Sequence, residues 1–89
     1  MEMTRHAETR IQQRGIPHAA VDAILSYGRR RRHYGADVYF LDRKSRGRMA
    51  RALGNKLYSK LERSLNSYLV VSDDGSIITA AHRLGRLKF

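Results

Sequence analysis

The stretch from Ser67 to Arg83, SYLVVSDDGSIITAAHR, constrains the fold more than any other part of the chain. Two β-rich runs flank Asp74-Gly75, a dipeptide that favours tight hairpin turns. The expected strands are 67–72 and 76–83. With Asp74 and Gly75 as the central turn residues, Val70 lies opposite Thr79 and Ser72 opposite Ile77. Side chains alternate along a strand, so Leu69 and Val71 share a face with Ile78, Ala80 and His82. Tyr68 and Val70 share the other face with Ile77, Thr79, Ala81 and Arg83. The first face is the more uniformly apolar and is expected to carry the helices. His82 then sits at the rim of the core and Arg83 on the more open face. A regular strand cannot place both in one cleft; a bulge near His82, or a strand ending there, would relax this.

The upstream elements follow from local signals. Thr4 can cap a helix over 5–13, and Arg14-Gly15 supplies its stop. Ala7, Ile11 and His6 are its inward candidates. Ile16-Pro17 opens a second helix with an apolar face of Ala20, Val21, Ile24 and Leu25, closed by Gly28. The run Arg29 to Arg32 with His33 reads either as a solvated, mobile connector or as a direct contact to an anionic partner. Tyr34 to Leu41 reads as the first strand, apolar on both faces at 38–41 and therefore central or covered on both sides. Asp42 can cap the next helix. Met49, Leu53, Leu57, Leu61 and Leu65 recur at i+4, a spacing that drifts around a straight helix. With Gly54-Asn55 in the middle, the expectation is a helix over about 43–53, a break or kink at Gly54 and a second segment over about 56–65. The expected architecture is α+β. It has an N-terminal helical hairpin and a three-stranded antiparallel sheet, with a long kinked helix inserted between strand 1 and the C-terminal hairpin. A single domain, 1–89, accommodates it.

Charge narrows the partners. Eighteen Lys and Arg stand against eight Asp and Glu, for a formal net charge of +10 in 89 residues. Such an excess raises the local concentration of polyanions. Arg far outnumbers Lys, and its planar fork suits phosphate and carboxylate. RNA, DNA, an anionic surface or an acidic protein fit this charge; solubility alone is the competing explanation. The chain holds no cysteine, so neither disulfides nor thiolate metal sites can brace it. No apolar run is long enough to span a membrane. No His, Asp and Glu cluster has metal-ligand spacing. A cytoplasmic protein without metal or cofactor is expected.

His6, Arg10 and Arg14, spaced i, i+4, i+8, fall along one helix face. Two guanidinium groups and an imidazole in a row suit a phosphodiester: Arg neutralises phosphate and His moves a proton near neutral pH. By spacing alone, exposed arginines beside a histidine packed on the sheet are the simpler reading. No Gly-rich phosphate loop, nucleophile elbow or paired carboxylates accompany them. Asp73 and Asp74 are explained by turn chemistry.

The opening Thr4-Arg-His6-Ala7-x-x-Arg10-x-x-x-Arg14-Gly15-Ile16 resembles that of a bacterial domain family of unknown function. That family is similar to the small toxins of toxin–antitoxin modules, grouped with the barnase/colicin/RelE-like ribonuclease fold. The closing Tyr68-Leu-Val-Val-x-Asp-Asp-Gly-x-Ile-Ile-Thr-Ala-x-His82-Arg83 matches the strand–turn–strand end of the same family. The resemblance covers both ends and not the helical middle. It implies an antiparallel sheet with N-terminal helices on one face and an open basic face for RNA. It further implies attack of a ribose 2′-OH on its own phosphate, with the protein orienting, neutralising and shuttling protons. His6, Arg10, His82 and Arg83 match the motif positions and are the catalytic candidates. Arg10 and Arg83 would hold phosphate, and His6 or His82 would move the proton. Arg14, Arg29, Arg30, Arg31, Arg32 and Arg86 are the nucleic-acid-binding candidates.

The leading expectation is a toxin-like, metal-independent ribonuclease or RNA-acting protein, acting on free or ribosome-associated RNA and covered by an acidic antitoxin-like partner. The alternatives are a non-catalytic nucleic-acid-binding module using Arg29–Arg32 and the basic helix, and an interaction domain for an acidic protein.

Overall fold

The structure, a computed structural model, describes residues 2–82. Helix α1 spans Arg5–Gln13, and the Thr4 side chain accepts from the Ala7 backbone N–H at 3.1 Å. That satisfies one of the donors a helix start leaves unpaired. Gly15 turns the chain with φ +61. Helix α2 spans His18–Tyr27 and ends at Gly28. There a Cβ would lie 2.4 Å from the Ile24 carbonyl oxygen and 2.8 Å from that of Phe40, so only glycine permits this approach.

Four strands follow: β1 (Arg29–His33), β2 (Ala36–Phe40), β3 (Ser67–Val71) and β4 (Ile77–His82). They form one antiparallel sheet in the order β1-β2-β3-β4. The expected three-stranded sheet is thereby corrected to four strands. The arginine run is itself a strand, and what reads as the start of strand 1 is a turn. Tyr34 and Gly35 both take left-handed φ values, +48 and +76. Positive φ at both central residues is the twist that lets two strands return on each other after a two-residue loop.

The long kinked helix is also corrected. Helix α3 (Arg43–Leu53) and helix α4 (Asn55–Leu61), followed by a 3-10 turn at Glu62–Ser64, are separate elements. Gly54 separates them at φ 82, ψ 160, a backbone state outside any helix. Reorientation there breaks the i+4 stripe: Met49, Leu61 and Leu65 are buried, whereas Leu57 is 40% exposed. Asp42 and Ser45 cap α3 reciprocally, each side chain accepting from the other's backbone N–H at 2.8 Å. This is the two-way cap that an Asp three residues before a Ser can make.

The core lies on one side of the sheet. Ala7 and Ile11 of α1, Ala20, Val21 and Ile24 of α2, and Met49 of α3 pack with Leu41, Leu69, Val71, Ile77 and Ala80 in one buried cluster. The N-terminal segment adds an edge contact: Met3 bridges Ile77 in parallel, with Thr4 N–H donating to the Ile77 carbonyl and Ile77 N–H to that of Glu2. In the C-terminal hairpin Val70 faces Thr79, as alternation predicts, but Val71 faces Ile77. An extra residue, Ile78, bulges out. The bulge carries Ile77, at 1% exposure, onto the helix-covered face where a regular register would put Ile78.

Candidate nucleic-acid interface

Cross-strand partners point to the same side of a sheet. The register therefore divides the strand residues into two faces. The helix-covered face carries the rows Arg30–Tyr39–Leu69–Ala80 and Arg32–Asp37–Val71–Ile77. The other carries Arg29–Phe40–Tyr68–Ala81, Arg31–Val38–Val70–Thr79 and His33–Ala36. None of these second-face residues belongs to the helix-packed cluster, although Val38 is buried. Phe40, Tyr68, Val70 and Thr79 are partly exposed.

The arginines of β1 are ordered by this geometry. Arg29 donates to the Asp42 carboxylate at 3.0 Å, tying the edge strand to the cap of α3. Arg32 meets Asp37 at 3.5 Å and Asp73, in the β3–β4 turn, at 2.5 Å. The hydrogen bond to Asp73 raises the Arg32 pKa, and Arg32 holds Asp73 below the ordinary carboxylate value. Asp42 lies far lower: the Ser45 backbone N–H favours its anion most, with the Ser45 hydroxyl and Arg29 adding to it against the cost of burial. Two arginines are thus clamped by acids, one on each face of β1. All four remain exposed. Charge on an edge strand also discourages pairing with another sheet, the bland use of such a run.

At the hairpin tip Tyr34 is 95% exposed, with its ring 4.3 Å from that of His33 in an edge-on arrangement. Sequence patterning misses this strand because its residues are polar on both faces, so no alternation betrays it. Gly35 followed by an apolar run was the available signal.

The catalytic candidates are not gathered. Helix α1 runs alongside β4, its start held at Ile77 by the Glu2 and Thr4 backbone bonds and its end beside His82. His6 is exposed near the start rather than packed inward, and Arg10 is partly buried. His82 is fixed at the other end: its Nε2 lies 3.1 Å from the Arg14 carbonyl oxygen and its Nδ1 3.1 Å from the Ser67 hydroxyl. A carbonyl only accepts, so Nε2 carries the proton. With Nε2 donating, Nδ1 lies within hydrogen-bond distance of the buried Ser67 hydroxyl, which can donate to it. Eight residues of helical rise, roughly 12 Å, separate the level of His6 from that of Arg14 and His82. The bulge in β4 lies at Ile78, and His82 pairs regularly with Ser67, so His82 faces the helices. Arg83 and Arg86 lie outside the described residues.

Among the described residues no group of three His, Cys, Asp or Glu side chains could hold a metal ion, and no helix is long and apolar enough to cross a membrane. The chain matches no protein-family model, no curated protein and no solved structure.

Proposed function

We propose that this chain is an RNA-binding protein whose contact surface is the arginine hairpin β1–β2 and the sheet face beside it. One observation carries the reading: Arg29–Arg32 is an ordered edge strand, so four exposed arginines stand at fixed backbone positions on a chain of net charge +10. A pre-ordered row of arginines loses less freedom on meeting phosphates than a mobile connector would. Phosphate contacts of this kind supply affinity and its salt dependence rather than sequence choice.

The toxin-like ribonuclease is the narrower form of this proposal, and its support is the motif resemblance at the two ends of the chain. In it, Arg10 and Arg83 hold phosphate and His6 or His82 moves a proton. The separation of His6 from His82, and the two hydrogen bonds that occupy the His82 ring, favour binding over cleavage as the core activity.

Incubation of the purified protein with total RNA, with and without chelator, tests both. Binding that falls steeply with salt and leaves the RNA intact supports the binding module. Cleavage abolished by His82→Ala, with affinity kept, supports the ribonuclease. Failure to retain RNA at low salt, together with co-purification of an acidic protein, would sink the RNA reading.

A further inference from the structure

The aromatic residues of the open face have no part in a purely electrostatic surface. Phe40 and Tyr68 are direct cross-strand neighbours on the side of the sheet away from the helices. Arg29 is the next residue in their row, and Arg31 stands at the head of the adjacent one. At the other end of β1 stands Tyr34, 95% exposed and at φ 48. This turn position favours Gly, Asn or Asp, since a side chain with a Cβ is strained there. A large, solvated aromatic ring in a strained position contributes little to folding and is the kind of outlier that points to function.

We propose that the open face binds an unpaired RNA strand, its bases stacking on the Phe40–Tyr68 pair and on Tyr34 while Arg29 and Arg31 meet the intervening phosphates. This rests on the RNA-binding reading and specifies its ligand. The four-residue separation between the Arg29 and His33 rows is about 13 Å. A strand laid along it brings bases to the aromatic positions at either end and its phosphates past Arg29 and Arg31. Aromatic platforms with adjoining cations suit single strands because every base has a π-face, whereas bases inside a duplex are already stacked and cannot reach a flat sheet. The chain's charge complements the strand and repels a basic occupant.

The test is fluorescence anisotropy of the full chain with a labelled 12-nucleotide RNA. The same sequence as RNA duplex, the DNA single strand and heparin serve as comparisons. The variants are Tyr34→Asn, which suits the left-handed turn, and Tyr68→Leu, which keeps an apolar side chain; thermal melts confirm folding. We expect the single strand to bind at least tenfold tighter than the duplex. Each variant is expected to weaken single-strand binding roughly fivefold to 100-fold, leaving heparin binding unchanged. Equal binding of duplex and single strand, with both variants like wild type, overturns the stacking platform but leaves RNA binding standing. Preference for the DNA strand overturns RNA as the ligand. Absence of binding to any nucleic acid overturns both this inference and the reading beneath it.

Discussion

The two hairpins of the sheet solve the same problem by different means. In β3–β4, alternate residues Ser67, Leu69 and Val71 are buried, so the hydrophobic effect fixes the register. Its turn is braced by Asp74, which accepts from the Ser72 hydroxyl and from the Ser76 backbone N–H at 3.0 Å. In β1–β2 the outer strand has four exposed arginines and no buried side chain. Its order comes from backbone pairing, from the left-handed turn at Tyr34-Gly35 and from carboxylates at either end of the strand. One hairpin is part of the core. The other is held in place so that its charged side chains stay in solvent.

The comparison breaks most visibly at Leu69. Leu69→Ala removes a fully buried side chain from the centre of the helix-covered face and is expected to cost about 2–5 kcal/mol, read by urea unfolding followed with circular dichroism. Loss below about 1 kcal/mol would show that the C-terminal hairpin is not the floor of the core. Next comes Gly28→Ala, which drives a Cβ into the Ile24 and Phe40 carbonyl oxygens where α2 hands the chain to β1. About 1–3 kcal/mol should be lost. Amide exchange in β1 should rise more than in β3; uniform loosening would contradict the separate attachment of the arginine hairpin.

Asp42→Ala removes the α3 cap and the Arg29 partner together, at about 1–2 kcal/mol. The pH dependence has a definite sign. The folded-state pKa of Asp42 is depressed, so its stabilisation is fully present above the unfolded value near 3.9 and is lost as pH falls below it toward the folded value. Wild type should therefore lose more stability than Asp42→Asn between pH 6 and pH 3, and parallel curves would remove Asp42 as the cause. Smallest is Arg32→Gln. Its ion pairs are exposed and screened by solvent, so thermal stability should be close to that of wild type. RNA affinity should nonetheless fall and its salt dependence flatten, which separates the strand's binding role from its structural one.

Much of the framework was legible in the chain. Thr4, Gly28, Asp42 and Gly54 mark helix ends where the structure has them, because caps and breaks depend on the chemistry of a few adjacent residues. The C-terminal hairpin was legible because one face of it is apolar. The arginine strand was not: an edge strand with two polar faces leaves no periodic trace, and its partner's register emerges only when β2 is paired. The β4 bulge was hidden for a related reason. Ile77 and Ile78 are alike as residues, and only packing against α1 and the core selects which one turns inward.

For the candidate site, residue types could be read but distances could not. His6, Arg10 and Arg14 look collinear by spacing, yet the direction of α1 along β4 sets His82 against the Arg14 carbonyl and leaves His6 two helical turns away. The sequence by itself determined the charge, the helix caps and the alternating strands of the C-terminal hairpin, all of which depend on neighbours in the chain. Only the tertiary structure decided that Arg29–Arg32 is a strand and that Phe40 meets Tyr68 beside it. Strand pairing joins residues far apart in sequence, and the facing of each side chain is settled by the partner it is paired with.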